Sequence, residues 1–126
     1  MNKIISKNTE QTKKIAKDFA GKVRNGGVIC LYGDLGSGKT LFVQGLAEAL
    51  GIDKYSIKSP TYVYIRNQKH FYHIDLYRLE EIDELLRLEI EELLKNPQNI
   101  IIIEWADRLK KYLPNKRTDI YFKYLD

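Results

Sequence analysis

Residues 28–40 read Val-Ile-Cys-Leu-Tyr-Gly-Asp-Leu-Gly-Ser-Gly-Lys-Thr, and this stretch decides the fold. Its first five residues are a continuous apolar run, which is typical of a central strand buried on both faces. Residues 33–40 match the pattern Gly-x-x-x-x-Gly-Lys-Thr of a phosphate-binding loop, or P-loop. The context makes the pattern specific. A predicted helix follows the loop and ends before Gly51, and the backbone N–H groups of its first turn can face phosphate. We therefore predict a site for the polyphosphate of a purine nucleoside triphosphate and Mg²⁺.

The residue types in the loop have separate chemical roles. Its glycines allow the backbone to curl around phosphate groups without Cβ clashes. Lys39 is expected to neutralise the β- and γ-phosphates, and the Thr40 hydroxyl to coordinate Mg²⁺. The predicted nucleotide-binding residues of the loop are Gly33, Asp34, Leu35, Gly36, Ser37, Gly38, Lys39 and Thr40.

An acidic residue at the end of a neighbouring apolar strand is also expected, because Mg²⁺ in P-loop proteins is held from there. Glu104 follows four consecutive isoleucines and is the preferred metal ligand or water-positioning residue. Asp75 ends a second strand, and we interpret it as a further metal-shell residue or a base. For Glu104 and for Asp75, the alternative interpretation is a carboxylate at the protein surface that only ends a strand. Trp105, next to Glu104, either covers the site or fills the core.

Two further features leave alternatives open. Residues 59–62, Ser-Pro-Thr-Tyr, either form a switch in which Thr61 senses the γ-phosphate or are only a turn. His70 and His73 lie two residues apart, and with a single cysteine in the chain they do not predict a zinc site. We interpret His73 as a hydrogen-bonded strand residue.

Residues 115–119, Asn-Lys-Arg-Thr-Asp, resemble the guanine-binding pattern Asn-Lys-x-Asp only loosely. The acid comes one position too late, and the segment precedes a strand instead of following one. We therefore reject a guanine clamp, which favours ATP over GTP.

The composition predicts a single domain over residues 1–126, with 44% hydrophobic and 30% charged residues. No apolar run approaches the ~20 residues of a membrane helix, and the amino terminus is too quickly polar for a signal peptide. The lone Cys30 lies in an apolar run, so we expect a cytoplasmic protein. The net charge of +4 comes from scattered lysines, which we interpret as solvated faces in preference to a nucleic-acid footprint.

The alternation of strand and helix patterns predicts an α/β fold. A short polar spacer at residues 67–69 predicts an antiparallel hairpin. The predicted architecture is a three-layer sandwich of the P-loop NTPase type, with a mixed sheet that contains this hairpin. The predicted strands are residues 2–6, 28–32, 62–66, 71–76, 99–103 and 120–125, and the predicted helices are residues 9–24, 41–50, 80–95 and 106–112.

Four motifs together resemble the bacterial TsaE (formerly YjeE) family, the ATPase of tRNA threonylcarbamoyladenosine (t6A) biosynthesis. They are Gly-Asp-Leu-Gly-Ser-Gly-Lys-Thr at 33–40, Ser-Pro-Thr-Tyr at 59–62, His-Ile-Asp-Leu-Tyr-Arg at 73–78 and Ile-Glu-Trp-Ala at 103–106. A general P-loop accounts only for the first. The order and spacing of the four motifs cover about residues 9 to 110.

The resemblance implies ATP hydrolysis with Mg²⁺ held by Thr40 and Glu104. It also implies that Asp75 and Trp105 are important for activity and that Thr12 lies near the adenine. The implied partners are TsaB and TsaD, which attach a threonylcarbamoyl group to adenosine 37 of tRNAs that read ANN codons. In that scheme TsaE hydrolyses ATP to reset the assembly between turnovers. It is an indirect partner of tRNA, and a direct contact with tRNA stays open.

Two other functions remain open from the sequence. A small-molecule kinase commonly needs a basic lid and an acceptor pocket, for which 126 residues leave little room. A nucleotide-gated binding module would use ATP occupancy, without essential hydrolysis, to order residues 59–62. For the leading interpretation we expect weak activity alone, because no arginine is marked as the group that accelerates hydrolysis ~10³–10⁵-fold in P-loop proteins.

Overall fold

The computed structural model describes residues 8–33, 38–52, 64–68, 70–76 and 83–122. The predicted strand at residues 2–6 lies outside these ranges. The elements in chain order are α1 (Thr9–Val23), β1 (Gly27–Tyr32), α2 (Lys39–Ala49), β2 (Tyr64–Gln68), β3 (Phe71–Asp75), α3 (Glu84–Leu94), β4 (Ile100–Glu104), a 3₁₀ helix (Ala106–Tyr112) and β5 (Thr118–Tyr121).

The body of the sheet is entirely parallel. The strand order is β2-β3-β4-β1-β5, and the neighbours within β3-β4-β1-β5 all pair in parallel. For this body the prediction of a mixed sheet with an antiparallel hairpin in it is wrong. Helical crossovers such as α3, between β3 and β4, return the chain to the same end of the sheet and so produce parallel neighbours. Among the described strands, antiparallel pairing occurs only at the edge, where β2 lies against β3.

The connection from β2 to β3 also differs from the predicted one. The polar residues 67–69 were expected to be the spacer, but β2 continues through Gln68, which pairs with Phe71. Among the described residues the turn is therefore at His70, which adopts a left-handed backbone with φ 65°. The prediction placed the turn too early because it took polar residues as a sign of a loop, whereas an edge strand can also carry polar residues.

Local sequence explains where the helices begin. The Asn8 side chain accepts a hydrogen bond from the Gln11 backbone N–H at 2.9 Å, and Asp83 caps α3 in the same way through Leu86. Helix α1 packs against α2 at close range: a Cβ added to Gly45 would lie 3.1 Å from the Ala16 Cβ. This contact packs α1 closely against the second half of α2.

Helices cover the sheet on both faces. Alternate residues of a strand point to opposite faces, so Ile100 and Ile102 pack in the core with α1 and α2. Ile101 and Ile103 pack on the other face with α3 and the 3₁₀ helix. Both faces of β4 are therefore buried, as the run of four isoleucines predicts.

None of the helices in the described part of the chain has the length and apolar character needed to cross a membrane.

Cys30 lies in β1 with no exposed surface. Burial of its thiol, with a smaller contribution from the negative charge of Asp119, raises the Cys30 pKa to about 12. The thiolate is the reactive form of cysteine, so the folded protein should resist a thiol reagent at about pH 8 and react once urea unfolds it. Rapid reaction of the folded protein would contradict this burial.

The same raised pKa predicts a loss of stability at alkaline pH. The folded state favours the neutral thiol, so this contribution to the free energy of unfolding is complete below the unfolded-state pKa of about 8.5. It is then lost as pH rises towards the folded-state pKa of about 12. Urea titrations of the wild type and Cys30→Ala across this interval should give a shallower pH dependence for the variant.

Candidate active site at the carboxyl edge of the sheet

Three of the predicted site residues, Lys39, Asp75 and Glu104, lie where parallel strands end. Glu104, the last residue of β4, lies in register with Leu31 of β1 on one side and with Asp75 of β3 on the other. Helix α2 starts at Lys39, on the same side of the sheet as these residues. In open α/β sheets, ligands bind in the crevice outside the carboxyl ends of the strands, so this edge is the expected location of a site.

Lys39 is buried at the first position of α2, with only 4% of its surface exposed. Its Nζ donates to the Gly33 carbonyl oxygen at 2.5 Å and lies 4.0 Å from Glu104 Oε1. Gly38 precedes it as the N-cap, with φ 103° and no side-chain cap. This left-handed backbone favours glycine, and without a capping side chain it leaves the first N–H groups of α2 available to an anion.

The carboxylate of Glu104 lies between two nitrogen donors. Only 4% of the residue is exposed, and its second oxygen, Oε2, lies 2.5 Å from His73 Nε2. Asp75 is equally buried but belongs to β3, one strand further from the P-loop strand. The alternative that these acids are surface carboxylates is therefore wrong for both.

The Trp105 ring lies against Lys39. Its backbone is left-handed, with φ 58°, and its ring centroid lies 4.8 Å from Lys39 Nζ and 5.3 Å from the Arg108 guanidinium carbon. Both distances permit cation–π attraction. Trp105 also packs against the core on the α3 face, which supports its core-filling role, and a role in covering the site stays a prediction.

Thr12 and Thr40 flank the same helix start. Thr12 is buried in α1 and donates its hydroxyl to the Asn8 carbonyl oxygen at 3.2 Å. A Cβ added to Gly38 would lie 4.0 Å from the Thr12 hydroxyl oxygen, so α1 places Thr12 beside the start of α2. Thr40 is the second residue of α2 and is half-buried.

Residues 115–117 lie at the other end of the sheet. They precede β5, which runs parallel to β1, so they lie near Gly27 and far along the strands from Lys39. Lys116 and Arg117 line a cavity of about 440 Å³ at this end together with Gly27. A clamp on the base of a nucleotide held by the P-loop cannot be built from there, which agrees with the rejection of the guanine pattern.

A model of the family described as "Threonylcarbamoyl adenosine biosynthesis protein TsaE" matches residues 6–126. The chain belongs to the TsaE family. The resemblance predicted from the four motifs is thereby confirmed.

Several proteins named "tRNA threonylcarbamoyladenosine biosynthesis protein TsaE" are similar to this chain. The protein from Rickettsia bellii is 37% identical over 97% of this chain and 86% of its own length. That from Bacillus subtilis is 40% identical over 92% of this chain and 73% of its own length. A crystal structure of Bacillus subtilis YdiB superposes with a TM-score of 0.69 at 34% identity, covering 92% of this chain and 72% of that one.

In this member of the TsaE family, part of the predicted site falls outside the described residues: Asp34, Leu35, Gly36 and Ser37 of the loop, and Thr61 of the possible switch. The described residues that the fold brings together are Lys39, Glu104, Asp75 and Trp105, with Thr12 and Thr40 beside them. Their predicted roles in binding and catalysis remain predictions.

The prediction that His73 is a hydrogen-bonded strand residue is confirmed, because it lies on β3 and forms a hydrogen bond with Glu104. The sequence did not predict that its partner is the acid of the site, against which the His73 ring is fully buried. The available signal was its spacing: His73 and Asp75 are two apart on β3 and must face the same way. What the sequence did not provide was the register, which pairs Asp75 with Glu104 and so brings His73 within reach of that carboxylate.

The oxygen donors at this edge fit Mg²⁺ bound together with phosphate. Among the described residues, no group of three or more His, Cys, Asp or Glu side chains could hold a metal ion by itself. Mg²⁺ is usually held by one or two carboxylates, with water and substrate phosphates completing its octahedron. Glu104, Asp75 and the Thr40 hydroxyl are a donor set of this incomplete kind.

Proposed function

We propose that this chain is a Mg²⁺-dependent ATPase that supports tRNA threonylcarbamoylation. The observation that carries the proposal is the buried ammonium of Lys39, held at the start of α2 and 4.0 Å from the buried carboxylate of Glu104. A cation at a helix N-terminus suits a polyphosphate. A carboxylate beside it suits metal binding or the orientation of a water molecule.

Lys39 and the backbone of residues 33–40 would hold the nucleotide. Phosphate oxygens would replace the Gly33 carbonyl and Glu104 as partners of Lys39 Nζ, because a charged acceptor forms the stronger hydrogen bond. Thr12, next to Gly38, is close enough to the loop to contact the nucleoside. We assign the nucleotide as ATP.

Thr40 and Glu104 would hold Mg²⁺, which supplies positive charge that stabilises the transferred phosphoryl group. Asp75, one strand away, would complete the outer shell of the site or accept a proton from water. Trp105 would keep bulk water from the Lys39 side and so strengthen the electrostatic interactions there.

We further propose that hydrolysis depends on the partners TsaB and TsaD. Arg108 is engaged on the protein itself, because its guanidinium stacks on Trp105 and donates to Asp107 at 3.2 Å. This supports slow turnover by the isolated chain, since P-loop enzymes are fast when an arginine reaches the γ-phosphate. The protein would act in the cytoplasm, where hydrolysis resets the TsaB–TsaD assembly after it modifies adenosine 37 of tRNAs that read ANN codons.

The test is ATP turnover by the purified protein, alone and with TsaB and TsaD, at saturating Mg²⁺. We expect the isolated protein to turn over ATP slowly and its turnover rate to rise at least about tenfold with the partners. This rise is smaller than the full rate increase that an arginine at the γ-phosphate can give. Lys39→Ala provides the background from contaminating ATPases. Equal turnover with and without the partners would contradict partner dependence, and phosphate transfer to a metabolite would favour a kinase.

A further inference from the structure

His73 occupies a position where an apolar residue would be expected. It lies on β3 between Phe71 and Asp75 on the face covered by α1 and α2, and it is in register with Ile102 of β4. Its side chain has no exposed surface. A strand buried on both faces is usually filled with aliphatic side chains, so a polar ring here requires an explanation.

Among the residues that the structure describes, the His73 ring has one hydrogen-bond partner, Glu104. Nε2 lies 2.5 Å from Glu104 Oε2, and we assign the proton of this hydrogen bond to Nε2, because a carboxylate oxygen is an acceptor. Within the described part of the chain, the other ring nitrogen, Nδ1, has no hydrogen-bond partner. A buried polar atom without a partner costs desolvation free energy that a leucine would avoid. Packing alone therefore does not account for the histidine, whereas its contact with Glu104 does.

The two oxygens of Glu104 face different neighbours. Oε2 is held by His73, and Oε1 lies on the side of Lys39. The terminal torsion of a glutamate is broad, so a carboxylate with only one neighbour can rotate. A donor fixed in the sheet removes this freedom and directs one oxygen towards the nucleotide side of the site.

We propose that His73 is a positioning residue that fixes the carboxylate of Glu104 for ATP hydrolysis. The inference rests on the proposed ATPase function. His73 does not touch the nucleotide and acts only through Glu104. Its contribution is preorganisation: the carboxylate is already oriented when ATP binds, and no reorientation is needed during the reaction.

The variants His73→Leu and His73→Gln separate positioning from packing. Leucine fills the site without a donor, whereas the amide nitrogen of glutamine can reach the place of Nε2. We expect His73→Leu to lower kcat about 10–100-fold, the usual effect of removing a residue behind a metal ligand, with KM for ATP within about twofold. His73→Gln should recover most of this loss. Ile102→Val, in register with His73, is the matched control for packing and should keep kcat within about twofold.

Coupling to Glu104 gives the decisive readout. In a Glu104→Gln background, His73→Leu should change kcat by less than about twofold, because the carboxylate it positions is gone. Additive losses in the double variant would overturn the proposal. An unchanged kcat in a folded His73→Leu protein, or equal losses for leucine and glutamine, would overturn it as well.

A measurement without turnover keeps this inference separate from the ATPase proposal. In ¹⁵N NMR of the wild type, His73 should show its proton on Nε2 and an unprotonated Nδ1, and replacement of Glu104 by alanine should shift the Nε2 signal. A proton on Nδ1 instead would overturn the positioning role whatever the ATPase activity. Absence of ATP hydrolysis even with TsaB and TsaD would refute the proposed function and leave the NMR result intact.

Discussion

Lys39→Ala should lower kcat/KM for ATP hydrolysis in the presence of TsaB and TsaD by roughly 10²–10³-fold, comparable to the removal of one transition-state donor in other enzymes. Lys39 is the cation at the start of α2, and only 4% of its surface is exposed. Its charge therefore acts in a poorly solvated site, where an interaction with phosphate is stronger than in water. Steady-state turnover and direct ATP binding would be measured on the same preparations.

Lys14→Ala is the matched control. Lys14 is exposed on α1, and its replacement by alanine removes the same charge from the protein as Lys39→Ala does. It should leave both quantities within about twofold of the wild type, as surface substitutions usually do. Thermal unfolding is needed alongside, because the variant leaves Glu104 buried without the nearby ammonium. A stable Lys39→Ala protein that binds and hydrolyses ATP normally would show that the nucleotide lies elsewhere.

Glu104→Gln should separate binding from hydrolysis. The amide has nearly the same shape but no charge, so we expect kcat to fall by about 10²–10³-fold while ATP still binds through Lys39 and the loop. Because Glu104 is proposed to hold Mg²⁺, the Mg²⁺ concentration required for half-maximal turnover should also rise. Initial rates over a series of Mg²⁺ concentrations measure both effects.

Glu92→Gln is the control for Glu104→Gln, because the Glu92 side chain is 76% exposed on α3. It should behave as the wild type. If Glu104→Gln hydrolysed ATP normally, Asp75 would become the leading acid of the site. If it lost hydrolysis but still sustained repeated rounds of tRNA modification, a nucleotide-gated binding module would explain the protein better than an ATPase cycle.

Short-range patterns predicted most of what surrounds the loop. In the structure the apolar run before Gly33 forms β1 and the residues after Gly38 form α2. The isoleucine run forms a strand that is buried on both faces. Each of these depends on local chemistry: side-chain periodicity, glycine conformations and the helix start. The placement of Glu104 at a strand end followed from the same reasoning.

Long-range pairing was not predictable in the same way. The parallel body of the sheet depends on which strands the helical crossovers bring together, and no single segment encodes that order. The hydrogen bond between His73 and Glu104 joins residues on two different strands and depends on their register. The sequence therefore indicated the acid of the site but not the histidine that holds it.

The most direct test of the central claim is reconstitution of tRNA modification with TsaB, TsaD, ATP and tRNA. The amount of threonylcarbamoylated tRNA would be followed over many turnovers with the wild type and with Lys39→Ala, and pairwise binding to the partners would be measured separately. The account predicts sustained modification only with the wild type, although both proteins bind TsaB–TsaD. Sustained modification with a Lys39→Ala protein that neither binds nor hydrolyses ATP would contradict it.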